Sequence, residues 1–245
     1  KVHKLGEQYF FEIPNEHLGK DMLLVSRISK LPANLGGGYM NAGTKTAERL
    51  VAWERFDKKI LIKERSYNSV ADEELPISIS VKSNNYEPIL FAFDIAAFSK
   101  DSTAVVIDVT KFYSSDVKAI SGLPSYLRTS YKVKNLDASR SFINGMKSYP
   151  QNIEVLQDMT YNASKPPSAQ SAETISLQVN QSMILLPEQP MQSRFADDRV
   201  GWFTFSQVDY GSKKPKAVRK TYIQRWRLEP KDPEAYARGE LVEPI

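Results

Sequence analysis

Histidine is the commonest metal ligand and acid–base group near neutral pH, and this chain has only two, His3 and His17. Neither sits in a His-Glu-x-x-His helix, where imidazoles at i and i+4 would share a face and the Glu would act as base. The nearest approach, Glu16-His17, lacks the second imidazole. A Ser-His-Asp triad would draw on the same two residues, and no Gly-x-Ser-x-Gly elbow is present. The chain has no cysteine, which excludes disulfides, thiolate metal sites and thiol nucleophiles. Gly36-Gly37-Gly38 lacks the Lys-Ser/Thr that completes a phosphate loop. We therefore expect no enzyme in this chain taken alone, and assign it no catalytic residue, no metal ligand and no cofactor.

Two constellations remain. If the segment 89–110 closes as a hairpin through a three-residue loop, Asp94 and Asp108 stand opposite each other on one face. Paired carboxylates in apolar surroundings raise one pKa or hold a hard cation, although structural ion pairs place acidic residues this way more often. The second is aromatic. Trp202-Phe203-Thr204-Phe205, with Trp226 further on, would make a stacking platform for sugar or peptide. Its apolar content on both faces reads as core instead. A basic run, Lys213-Lys214-Pro215-Lys216 with Arg219-Lys220, reads as a solvated hairpin loop.

The elements that must carry these residues alternate with period two. Glu7 to Ile13 puts Tyr9, Phe11 and Ile13 on one face, and Leu23 to Ser29 is a second strand. Arg49 to Phe56 and Lys59 to Tyr67 flank Asp57-Lys58, a tight hairpin. Ile89 to Phe98 and Thr103 to Thr110 form the next pair, apolar on nearly both faces and so expected at a central, doubly covered position. Pro124 to Tyr131 and Ser141 to Tyr149 predict short helices, the second stopped by Pro150. Ile153 to Tyr161 and Thr174 to Leu186 are long strands. In the latter Ile175, Leu177, Val179 and Met183 face one way. Val200 to Val208 and Lys220 to Leu228 make the last pair, followed by a short helix over Asp232 to Arg238, opened by Pro233 and closed by Gly239.

Hairpins in series with few helices predict a mainly β fold, an antiparallel sandwich or a β-rich α+β domain. Residues 1–228 are expected as one β-rich domain, with a possible subdivision near 70–88, and 229–245 as a connector. The net charge of +4 is small and dispersed, so no nucleic-acid partner is implied. No apolar run reaches the roughly 18–20 residues of a membrane helix. The chain opens at Lys1 rather than Met, and both ends look cut.

Several segments resemble a known family. Leu23-Leu-Val-Ser-Arg-Ile-Ser-Lys30, Ser102-Thr-Ala-Val-Val-Ile-Asp-Val-Thr110, Ser182-Met-Ile-Leu-Leu-Pro187 and Arg199-Val-Gly-Trp-Phe203 are similar to the domain that precedes the catalytic domain in bacterial metzincin-like zinc-dependent metalloproteases. So is Arg225-Trp-Arg-Leu-Glu-Pro-Lys-Asp-Pro-Glu-Ala-Tyr236, running on to Gly239-Glu-Leu-Val-Glu-Pro244. That resemblance implies an exported Gram-negative protein, periplasmic or outer-membrane associated, whose zinc motif lies downstream of this chain. It also implies a partner, the protein's own catalytic domain, and at one remove a peptide or protein substrate. The expected role is an accessory domain that supports or orients the protease. An inhibitory prodomain, or a module binding cell-surface glycan or protein, are the alternatives.

Overall fold

The computed structural model describes residues 1–168, 172–212 and 216–243. Lys213, Lys214 and Pro215 of the basic run therefore lie outside the described residues. The strands, in chain order, begin with β1 (Val2–Leu5), β2 (Gln8–Pro14), β3 (Asp21–Lys30), β4 (Lys45–Phe56), β5 (Lys59–Glu64), β6 (Ser69–Val70) and β7 (Ile89–Phe98). They continue with β8 (Ala104–Asp108), β9 (Val133–Leu136), β10 (Phe142–Ser148), β11 (Asn152–Ala163), β12 (Thr174–Leu185), β13 (Thr204–Asp209) and β14 (Val218–Ile223). Among the described residues, four short α-helices interrupt them: α1 (Ile77–Asn84), α2 (Thr110–Ser114), α3 (Ser125–Ser130) and α4 (Pro233–Ala237).

The chain divides into two compact units. Unit 1 takes Lys1–Arg65 and Glu87–Leu186, and unit 2 takes Ser66–Tyr86 and Pro187–Ile245. Where the sequence suggested one body through residue 228, the excursion at 66–86 is grouped with everything after 186, and 229–245 is part of unit 2.

Unit 1 is mainly β, as expected. Its strands run antiparallel in the order β1-β2-β8-β7-β5-β4-β3-β12-β11-β10, with β9 also on β11. The sheet is nearly closed, because its end strands β1 and β10 approach each other without pairing. The facing layers of a sandwich are here opposite walls of one curled sheet.

Alternation makes the inner face. Tyr9, Phe11 and Ile13 of β2 are buried, as the sequence predicts. On β11 the inward row is Val155, Gln157, Met159, Tyr161 and Ala163, and on β12 it is Ile175, Leu177, Val179, Gln181 and Met183. The apolar members fall into two clusters, one around Phe11, Trp53 and Val155, the other around Ile28, Tyr161 and Leu177. Between them Ser26, Gln157 and Gln181, each no more than 1% exposed, form a polar belt. Ser26 Oγ donates to Gln181 Oε1 at 2.5 Å, and Gln181 Nε2 donates to Gln157 Oε1 at 2.9 Å.

The belt fastens a long stretch of unit 1 that is not strand. Gln157 Nε2 donates to the Tyr113 carbonyl, and Gln181 Nε2 to the Ile120 carbonyl at 2.6 Å. Val109, Phe112, Tyr113 and Ile120 join the first cluster, and Leu123 and Leu127 join the second. This 109–127 segment packs against the inner face and fills the curl. Helix α3 matches the expected helix at 124–131, and its Arg128 forks onto Asp116 at 2.5 and 2.7 Å while lying 4.8 Å from the Tyr161 ring centroid.

Two expectations are corrected. Within 141–149, where a helix was expected, Phe142–Ser148 form strand β10. A bulge between Ile143 and Gly145 shifts the register, so that Ile143 and Met146 both pack on the core. Spacing of three on one face, which signals a helix in a regular segment, arises here from one extra residue in a strand. Strand β7 is central in order but not doubly covered: only Phe93 of its ten residues is buried.

The β7–β8 hairpin closes on Asp101. Its carboxylate accepts from Ser99 Oγ at 2.7 Å, Thr103 Oγ1 at 2.8 Å and the Thr103 N–H at 3.2 Å. Those bonds, the Ser99 hydroxyl first, hold its pKa down at about 2 against 3.8 ordinarily. A depressed acid stabilises the fold above its unfolded value, and that help is lost as pH falls through the folded one. The Asp101 contribution should thus be complete above pH 3.8 and fade toward about 2. Asp101→Asn should make hydrogen exchange at Ser99–Ala104 faster than wild type at pH 5 and converge with it near pH 2. Equal rates at pH 5 would refute this.

Unit 2 holds a small sheet in the order β14-β13-β6, with β6 parallel to β13. Helix α4 begins where expected, at Pro233, with the Asp232 carboxylate accepting the Ala235 N–H at 2.9 Å as an N-cap.

Candidate functional site

The β13–β14 ladder sets Phe205 opposite Tyr222, and a single bridge brings Phe195 to the other side of Tyr222. Tyr222 thereby stacks with both neighbours. Its ring lies 5.2 Å from Phe195 at 19° and 5.4 Å from Phe205 at 30°. Alternation puts Lys220 and Asp209 on the same face, joined by a 2.6 Å ion pair. The Lys220 hydrogen bond is the main cause of the lowered Asp209 pKa. The result is a three-ring row with a salt-bridged polar end.

Other large apolar side chains of unit 2 are also open to solvent. Trp202 is 51% exposed, Phe203 85% and Trp226 86%, with Leu228 and Tyr236 exposed as well. The reading of Trp202-Phe203-Thr204-Phe205 as core is therefore corrected. Among the described residues of unit 2 only Ser78 and Ala235 are buried, so its three short strands have little of their own to cover an aromatic face. Trp53, by contrast, is a core residue of unit 1. Sequence reasoning found Trp202 and Trp226 but missed Phe195, whose link to Tyr222 is a non-local bridge with no periodic signal.

A bulge between Ile95 and Ala97 leaves Ile95 opposite Ile107, the last ladder pair, with Asp94 and Asp108 the next residue along each strand. Asp94, largely exposed, pairs with Lys59 Nζ at 2.5 Å. Asp108 accepts from Gln8 Nε2 at 2.9 Å and from the Thr110 N–H at 2.8 Å. Each is held by its own partners. Among the described residues, no three His, Asp or Glu side chains are grouped as ligands for one metal ion. His3 and His17 instead pair with Glu12 at 2.6 Å and Glu16 at 3.6 Å.

Fold and site together define a curled antiparallel β domain carrying an aromatic-faced second unit. The chain belongs to the family described as "Domain of unknown function (DUF5117)", which matches residues 43–231. A second, "Domain of unknown function (DUF5118)", matches residues 1–31. No curated protein and no solved structure matches the chain. The junction between the two families is no boundary in the fold: β3 lies before it and β4 after it, yet they are hydrogen-bonded neighbours from Asp21–Ala52 to Arg27–Lys45.

Proposed function

We propose that this chain is a non-catalytic accessory domain of a larger, exported, zinc-dependent metalloprotease-like protein, and that the aromatic face of unit 2 is where the catalytic domain seats. The reading rests on the Phe195–Tyr222–Phe205 row and its exposed tryptophans. Aromatic surface left in water costs free energy, and contiguous apolar patches mark interaction sites. Trp, Tyr and Arg are also the residues that dominate binding energy at interfaces, and Arg225 lies between Tyr222 and Trp226 in sequence. A partner packed on this face would complete a layer that three strands alone leave open. The zinc of such a protein would belong to the catalytic domain, and this chain would contribute orientation rather than ligands.

The test compares this chain with a longer protein that includes the catalytic domain. Trp202 and Trp226 emission should shift to the blue in the longer protein, and exchange at Phe205 and Tyr222 should slow. Trp226→Ser should weaken binding of the separated catalytic domain about 30-fold, the equivalent of about 2 kcal/mol. Unchanged emission with freely separating bodies would refute the proposal. Glycan binding at the same face, without any effect of the catalytic domain, would transfer the site to the surface-binding alternative.

A further inference from the structure

A cavity of about 260 Å³ opens at one end of the curled sheet of unit 1. Strand ends meet there: Phe11 and Ile13 close β2, Met22 opens β3, Trp53 lies near the end of β4, and Met183 and Leu185 close β12. These six side chains make an apolar floor. The polar part of the lining comes from Lys1, Glu12 and His17 and from residues 148–152, where β10 turns into β11. Asn152 Nδ2 donates to Glu154 Oε1 at 2.8 Å, which holds that part of the lining in place.

Protein interiors are packed as densely as organic crystals, and this cleft is a place at the end of the sheet, open to solvent, that the core side chains leave unfilled. An apolar cavity of about 150 Å³ stays dry and takes benzene. Scaling from that case, this one holds roughly ten carbon atoms. Two of its walls are methionines, whose unbranched thioethers adapt to a flexible chain better than to one rigid shape. The mouth of a β-barrel with an apolar floor and a few polar groups at the opening is a recurrent place for such ligands.

We infer that this cavity binds an amphiphile with one unbranched alkyl or acyl chain of about ten carbons, its tail against Trp53, Met22 and Met183 and its polar head at the polar lining that includes His17 and Asn152. The chain can come from a free amphiphile or from a lipid in a bilayer, and the chemistry that recognises the tail is the same.

Trp202→Phe/Trp226→Phe leaves Trp53 as the sole tryptophan and makes the cavity its own reporter. Titrating this protein with n-alkyl carboxylates and n-alcohols of increasing length should change Trp53 emission saturably. Affinity should tighten about fourfold per added methylene and level off at about ten carbons, where the floor is filled. Met183→Phe should abolish the response by occupying the space. Should that variant fail to fold, Leu185→Ala gives a second reading, moving the plateau to longer chains. Phosphatidylcholine vesicles form the other arm: emission changes with vesicles and none with soluble ligands would assign the tail to a membrane lipid. A response that ignores chain length, or one that survives Met183→Phe in a folded protein, would overturn the inference, as would no response to either arm.

Discussion

Phe112→Ala should destabilise unit 1 by about 3–5 kcal/mol, the range for removing a fully buried phenyl ring. Phe112 is completely buried, and it meets Phe91, Phe93 and Tyr113 edge-on at centroid distances of 5.2, 5.5 and 4.8 Å. It is therefore where the 109–127 segment grips the sheet. The neighbours belong to two different elements, β7 and α2, which limits how far they can collapse into the space left behind. A loss of that size corresponds to roughly 6–20 °C in melting temperature for a domain of this length. The measurement is a thermal and urea melt followed through Trp53, in a chain with Trp202 and Trp226 replaced by Phe. A loss under about 1 kcal/mol would mean that the segment is not part of the core.

Gln181→Leu should cost at least as much although it removes little volume. Gln181 is fully buried and makes three bonds, two donated by Nε2 and one accepted by Oε1. Leucine would leave the Ser26 hydroxyl, the Gln157 carbonyl oxygen and the Ile120 carbonyl without that partner. Each buried polar group so stranded costs about 1–3 kcal/mol, so three of them set the expected loss at about 3–9 kcal/mol. The cause is separable from packing. Adding Ser26→Ala and Gln157→Leu removes two of the stranded groups and strands the Tyr113 carbonyl in exchange, a net gain of one, so the triple variant should regain part of the loss. If the triple variant is instead less stable by the sum of the three single changes, the belt is not a coupled unit.

How much of this was legible in the sequence follows from what each feature depends on. Strand β2 and the β4–β5 hairpin were plain, because Tyr9, Phe11 and Ile13 alternate and Asp57-Lys58 offers a tight turn, with Asp57 taking the left-handed conformation. β10 was misread because its bulge gives a strand the apolar spacing of a helix. The belt was invisible for a different reason. Gln181 occupies an inward position in a row that otherwise reads Leu177, Val179 and Met183, and a lone amide there looks like noise until Ser26, Gln157 and Ile120 are seen around it. Nothing local in 109–127 announces that it fills a sheet whose strands span the chain. Trp202 and Trp226 were named from residue type alone. Their exposure depends on how few strands unit 2 has, which pattern on a single segment cannot report.

The composition of unit 2 from two distant stretches also sets an order of events during synthesis. Ser69 and Val70 pair with Val208 and Asp209, so the early stretch emerges from the ribosome long before the strand it belongs beside. At about 5–20 residues per second that interval is roughly 7–28 s. Throughout it, the excursion at 66–86 hangs from a tethering loop whose two ends β5 and β7 have already joined. The late-arriving strand then has only to find a waiting arm, and the slowest step in maturing this protein should be the docking of the stretch after residue 186.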